Sequence, residues 1–378
     1  MDSFISVNEP VLSEDSKILV NECLNTGWIS SSGKFVKEFE EKFAAYIGVK
    51  YGIAVSSGTA ALHIALLSLG VGPGDEVIVP AFTMGATWLA VLYTGAKPVF
   101  VDCELENYNI DPKKIEEKIT KNTKIIIPVH IYGHAVEMDA VLKIAQKYGL
   151  LVLEDAAEAC GGEYRGKKCG SFGIINAFSF YANKIITTGE GGMVVTNNRD
   201  LAIKASQFRD LHHSLKKRFI HDGVGFNYRM TNLQAALGLG ELRHIRQYLQ
   251  KKDRMAKTYN RLLSGIPGLI LPRTKDYVRN TYWMYGIIVK EKEFGISKNQ
   301  LREKLSAKKI ETRDFFYTPN HQPVLQKYLK QKEIFPNADL IEKNGLYIPS
   351  GLRLTDRQMK TVAEAITTIY LAHRALRE

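Results

Sequence analysis

Residues 51–83 read YGIAVSSGTAALHIALLSLGVGPGDEVIVPAFT. The stretch opens on a short apolar run at 52–55 and passes through Ser56-Ser57-Gly58-Thr59, a cap sequence. A strong helix pattern fills 60–69, and a second apolar run follows at 76–79. Working outward, a helix is expected over 84–93, a strand at 98–101, a helix capped by Asp111-Pro112, a strand at 124–129, a helix at 137–148 and a strand at 150–153 that ends in Glu154-Asp155. Strands alternating with helices of this length predict an α/β fold, with a mostly parallel sheet covered on both faces. Strands around Phe178 and Val194 follow a shorter connection, a local departure from that alternation.

The flanks have other textures. Helical spacing over 13–25 and 34–46 brackets the segment Gly27-Trp28-Ile29-Ser30-Ser31-Ser32-Gly33. One long helix is expected from Thr231-Asn232 to about residue 264, stopped by Pro267-Gly268. Beyond it come a strand at 282–289, a helix at 298–308, a loop-rich part, a short strand at 347–349 and a closing helix over 355–376 with Thr355 as N-cap. Two domains are expected, 1–245 and 246–378, with the boundary in the long helix.

Composition is that of an ordinary soluble globular chain, 45% hydrophobic and 24% charged. No apolar run is long enough for a bilayer and no signal peptide is visible, so a cytoplasmic protein off the membrane is expected. Cys23, Cys103, Cys160 and Cys169 are dispersed, which argues against a metal site. The net charge of +11 is spread over amphipathic faces, the densest cluster being Lys216-Lys217-Arg218. That pattern suits an anionic small substrate better than nucleic acid.

Chemistry concentrates after three strands, where ligands of open α/β sheets gather. Ser57-Gly58-Thr59 opens a helix and offers amides and hydroxyls to an anion, although alone it is also a plain helix cap. Asp155 ends a buried strand, where a pyridinium N–H or a structural salt bridge would satisfy it. Glu158 lies three residues on. Lys184 stands between a buried strand and a glycine turn in NAFSFYANKIITTGEGGM, residues 176–193, where taken alone it is also an ordinary surface lysine at a loop start. Burial lowers an amine's pKa, and neutral amine attacks aldehydes. Ser179 adds a hydroxyl. Phosphate cup, acid and reactive lysine, in this order, form a parts list for pyridoxal 5'-phosphate. No GxGxxG follows a strand, which disfavours a dinucleotide-binding dehydrogenase.

The motifs NTGWISSSGKFVKEFEEKFAAY, AVSSGTAALHIALL, GPGDEVIVPAFT, GAKPVFVD, EDAAEA, SFGIINAFSFYANKIITTGEGGMVVT, GFNYRMTNLQAALGL, RDFFYTPNHQPV and LYIPSGLRLTD span nearly the whole chain. Together they resemble the DegT-type sugar-nucleotide aminotransferases, a branch of the fold-type I pyridoxal phosphate enzymes. The resemblance implies a large domain with a mixed sheet and a smaller C-terminal α+β domain. It puts Lys184 at the Schiff-base position and Asp155 opposite the pyridine nitrogen. It assigns Ser57, Gly58, Thr59 and Ser179 to the phosphate, and Met84 and Glu158 to the ring. It has Asn227 reach the cofactor phosphate of a neighbouring subunit, which implies a homodimer with a shared site. Trp28, Arg229, Arg313 and His321 fall in motifs tied to the nucleotide-sugar pocket. The implied reaction moves the amino group of L-glutamate to C4 of a nucleotide-linked 4-keto-6-deoxyhexose, and the ANKIITTGEGG and EDAAEA variants point to GDP-4-keto-6-deoxymannose. A dTDP- or UDP-4-keto-6-deoxyglucose acceptor and a non-enzymatic regulator that binds the cofactor are the other readings. Related 3-dehydratases carry histidine in place of the lysine, so Lys184 favours amination.

Overall fold

The computed structural model describes residues 4–214, 216–217, 219–329 and 333–374. Arg218 and the last residues of the closing helix's expected span lie outside them. Helices α1 (Glu14–Thr26) and α2 (Lys34–Ile47) lead into β1 (Tyr51–Val55), α3 (Gly58–Ser68), β2 (Glu76–Pro80), α4 (Gly85–Tyr93), β3 (Lys97–Val101), β4 (Thr123–Ile126), α5 (Met138–Tyr148) and β5 (Leu151–Asp155). Two-residue strands β6 (Glu163–Tyr164) and β7 (Lys167–Lys168) precede β8 (Ile175–Ser179), β9 (Gly192–Thr196), α6 (Arg199–Arg209), α7 (Asn232–Arg243) and α8 (Ile245–Leu263). The remainder is β10 (Leu269–Ile270), β11 (Val278–Arg279), β12 (Tyr285–Val289), α9 (Glu291–Phe294), α10 (Lys298–Ala307), β13 (Arg313–Asp314), α11 (Pro336–Asn344), β14 (Gly345–Ile348) and α12 (Asp356–Arg374).

The main sheet has seven strands in the order β1-β9-β8-β5-β4-β2-β3. Only β9 runs against its neighbours, and the other pairs are parallel. Alternate residues of each strand feed two separate cores, as the two-residue period of a strand requires. Ile53, Val77, Ile125 and Leu153 face α3 and α4, while Ala54, Ile78, Ile126 and Val152 face α2, α5 and α7. A third core, with Tyr259, Tyr285, Leu301 and Ile366, sits under the four-stranded antiparallel sheet β10-β12-β14-β13.

Two expectations change. The helix expected after Asp111-Pro112 is a pair of 3-10 turns, Pro112–Lys114 and Glu116–Lys118. Pro112 and Ile115 alone are buried between 111 and 120, so no apolar face sustains a longer helix. The single long helix after Thr231 is two, broken at His244, whose ring pairs with Asp15 of α1 at 2.7 Å. The break redirects the chain. Ile245, Tyr248 and Leu249 pack under the main sheet, whereas Met255, Tyr259 and Leu263 enter the third core. We place the domain boundary within α8 on that ground. The amino-terminal segment crosses it, because Ile5 pairs with Ile310 and packs in the third core.

Candidate active site

The parallel strands all end on one edge of the sheet, and the register aligns what stands there. Val55 of β1 and Ser179 of β8 both face Gly192 of β9, while Arg229 bridges to the other side of Val55. Asp155 pairs with Ala177, two residues back along β8. The packing is tight enough to require glycine. A Cβ on Gly192 would lie 2.4 Å from the Ser57 carbonyl oxygen, and one on Gly58 would lie 2.7 Å from the Ser179 Cβ. Ser57 caps α3 by accepting the Ala60 N–H at 3.1 Å. The remaining first-turn amides have no acceptor within the helix and carry its positive end. Ser57, Gly58, Thr59 and Ser179 are thus brought together as a cradle for an anion.

Glu154 and Asp155 are adjacent acids on opposite faces. Glu154 is fully buried and accepts N–H bonds from Gly170, Phe172 and Gly173, with the His130 ring at 3.0 Å. Asp155 turns towards α4. Its Oδ2 accepts the Thr87 hydroxyl at 2.9 Å and its Oδ1 the Ala157 N–H at 3.2 Å. Thr83 in turn bonds Thr87 at 3.0 Å. Burial pushes the Asp155 carboxyl above the usual range, and the Thr87 hydroxyl, the Ala157 amide and the Lys184 charge oppose the rise. Met84 is the exposed residue at the α4 N-terminus, three positions before Thr87.

Lys184 follows from a hairpin that doubles back on β8. Phe180 N–H bonds Gly191 O, Thr188 N–H bonds Phe180 O, and Lys184 N–H bonds Tyr181 O, each at 2.9 Å. Gly189 makes the turn at φ +78°, a conformation only glycine adopts freely. The Lys184 amine lies 3.5 Å from the centroid of the Trp283 ring. Burial lowers its pKa, and the charges of Glu158 and Asp155 oppose that fall. Glu158 is buried, accepts the Tyr132 N–H at 2.7 Å, and has its carboxyl raised by burial.

A buried amine that feels the charges of two buried acids, on the sheet edge that carries a helix-end cradle closed by Gly58 and Gly192, fits pyridoxal phosphate. Its aldehyde, ring nitrogen and phosphate are matched by the lysine, an acid and the cradle respectively. Among the described residues no cluster suits a metal, and no helix is long and apolar enough to cross a membrane.

The model of the DegT/DnrJ/EryC1/StrS aminotransferases matches residues 10–367. The chain belongs to that family. Relatives include the GDP-perosamine synthases of Escherichia coli O157:H7, 41% identical over 97% of this chain and 99% of that one, and of Caulobacter vibrioides, 42% identical over 97% and 98%. Among solved structures, the sugar aminotransferase Spr1654 from Streptococcus pneumoniae in its PLP-form superposes with a TM-score of 0.92, at 25% identity over 98% of this chain and all of that one. Family membership makes this chain a pyridoxal phosphate-dependent aminotransferase.

The outlying residues are placed as follows. Arg229 stands beside β1 and is paired with Asp210. Asn227 is exposed and bridges to Asp210. Trp28 is 61% exposed, at the rim of a surface cavity of about 590 Å³ shared with Lys34 and Asn232. Arg313 pairs with Glu311, and His321 with Glu342. None of Trp28, Arg313 and His321 bonds to Lys184, Asp155 or Glu158 among the described residues. Sequence reasoning missed Thr87, the Tyr132 amide and Trp283. Thr83 precedes the α4 N-cap Met84, so no helical spacing links it to Thr87 in the sequence.

Proposed function

We propose that the protein transfers the amino group of L-glutamate to the C4 keto group of GDP-4-keto-6-deoxymannose, giving 2-oxoglutarate and GDP-perosamine. The observation that carries the reaction class is a buried Lys184 amine that feels the charges of Asp155 and Glu158, at the sheet edge where the α3 cradle stands. Support for the acceptor comes from full-length identity of 41–42% to GDP-perosamine synthases.

Bound pyridoxal phosphate supplies an electron sink for the pair left when the donor's Cα–H bond breaks. The chain supplies the rest. Ser57, Gly58, Thr59 and Ser179 bind the phosphate group, and fix the register of the ring. Asp155 is assigned to the ring nitrogen, where a buried carboxylate keeps the proton in place and gains a charge partner. Lys184 Nζ anchors the cofactor at rest. Its neutral amine, when free, would take the proton from the donor's Cα as a base and give it up again as an acid. Glu158 is assigned to the ring-hydroxyl side, and Met84, exposed at the α4 N-terminus, would stand against the ring face. The second half runs the same proton movements in reverse on the ketosugar.

Arg229 and Arg313 are assigned to the diphosphate, which suits a planar guanidinium. Trp28 and His321 belong to the same pocket in this reading. Exposure of Asn227, beside Val224 at 83% exposed, fits a homodimer in which Asn227 completes the neighbouring phosphate site.

A panel of GDP-, dTDP- and UDP-linked 4-ketosugars compared by kcat/KM tests the acceptor. The GDP sugar is expected to lead by at least tenfold. A dTDP or UDP sugar in first place would move the assignment to a viosamine-type product.

A further inference from the structure

Lys252 is a second buried lysine, and none of the roles above uses it. It lies on α8, is 2% exposed, and has no carboxylate partner among the described residues. Its Nζ donates to two backbone carbonyls, Trp283 at 2.8 Å and Ser350. These carbonyls come from separate segments, one entering β12 and one leaving β14. Burial alone pushes the amine down to about 7. A neutral amine has two N–H bonds for these two acceptors, so its donors are matched. An apolar side chain would fill the space without the desolvation cost of a polar group. The position therefore uses the donors.

What the donors hold is Trp283. Its indole Nε1–H bonds the Asn183 carbonyl at 2.8 Å, and its ring face lies 3.5 Å from the Lys184 amine. Asn8 Nδ2 bonds the same carbonyl at 3.2 Å. We propose that Lys252 is a positioning residue for Lys184: it pins the Trp283 backbone, and the Trp283 indole in turn fixes the Asn183–Lys184 peptide and the ring face beneath the amine. This link rests on the assignment of Lys184 as the lysine joined to the cofactor. A lysine that merely ties β12 to β14 would affect stability and leave the chemistry of Lys184 untouched.

The test is a pH titration of the borohydride-sensitive visible band in the holoenzyme, which reads the Lys184 nitrogen without turnover. Lys252→Met keeps the stem and removes the donors. It is expected to lower the midpoint by about one unit, because the protonated nitrogen loses its ring face. Trp283→Phe is expected to shift the midpoint too, and the double variant is expected to match Trp283→Phe, since both act through one contact. Lys252→Gln keeps two N–H donors on a stem one atom shorter. It is expected to shift the midpoint the same way by less, and carries the same cycle should Lys252→Met not fold. An unchanged midpoint, or shifts that add in the double variant, would overturn the link. A wild-type protein without the band removes the assignment of Lys184 itself, and the link with it.

Discussion

The amine of Lys184 rests 3.5 Å above the ring of Trp283, a residue that leads into the first long strand of the antiparallel sheet. Lys184 follows a strand of the main sheet, and its aromatic support comes from the other side of the α8 junction. The ring face favours the charged amine by about 0.5–2 kcal/mol, against the desolvation that favours the neutral one. Both forms are needed if the amine is to take a proton and give it back. Trp283→Leu is therefore expected to lower kcat by about tenfold, which corresponds to about 1.4 kcal/mol. Its KM for glutamate should stay within about twofold, as the ring supports proton transfer and not donor binding. Steady-state kinetics with both substrates varied checks this, and a change confined to KM would count against it.

Thr87 tunes Asp155. Its hydroxyl is one of two donors to a carboxylate that burial otherwise pushes towards the neutral form. Thr87→Val removes that donor at nearly constant volume. A hydrogen bond to a charged group contributes about 1.5–3 kcal/mol, so turnover should fall by about tenfold to a hundredfold. Thr83→Val, which reaches Asp155 only through Thr87, should cost less. The half-reaction with glutamate, followed in the visible spectrum, separates the two. Equal losses would show that the hydroxyl chain does not act on Asp155.

Gly58 and Gly189 are constrained for different reasons, and alanine should report the difference. A Cβ at Gly58 meets Ser179 Cβ at 2.7 Å, so Gly58→Ala must open the cradle. It is expected to weaken pyridoxal phosphate binding by tenfold or more, with a modest loss of stability. Gly189 has φ +78° and open space around its Cβ position, so Gly189→Ala should cost about 1 kcal/mol of stability with cofactor affinity retained. Cofactor titration beside thermal melting distinguishes these outcomes.

Acid should loosen the fold through His63 and His134. Burial lowers both to about 4 from an ordinary 6.5, with the Ala135 carbonyl partly opposing the shift at His134. A histidine depressed in the folded state adds stability that is complete above its unfolded pKa. That stability is lost as pH falls from about 6.5 towards 4. Each full shift is worth on the order of 3 kcal/mol. His63→Phe, in a site already lined by Tyr93, Phe226 and Tyr228, should flatten its share of the decline. Denaturant melts between pH 7 and 4.5 would show it. A slope unchanged in the variant would place the acid sensitivity elsewhere.

The parts of this site that lie on single strands and caps were legible beforehand. Ser57 follows one apolar run, Asp155 ends another and Lys184 leaves a third, so local pattern alone brings them to one edge of a parallel sheet. Contacts made across the chain were not. Thr87 meets Asp155 over a separation of 68 residues and Trp283 meets Asn183 over 100. No periodicity encodes such a pairing. The break of the long helix at His244 depends on Asp15, which is 229 residues away. Lys252 carries no mark in the sequence that sets it apart from the other lysines of α8, and only packing buries it.

The most direct test of the account is amination by Lys184→Ala beside the wild type, with L-glutamate, pyridoxal phosphate and GDP-4-keto-6-deoxymannose, read by mass spectrometry of the sugar nucleotide. The wild type should convert the 4-keto sugar to the 4-amino sugar in proportion to the 2-oxoglutarate formed. The variant should lose the borohydride-sensitive band and fall by about a thousandfold or more, the scale expected when an anchor and a general base are removed together. Lys184→Ala turning over at the wild-type rate would contradict the account.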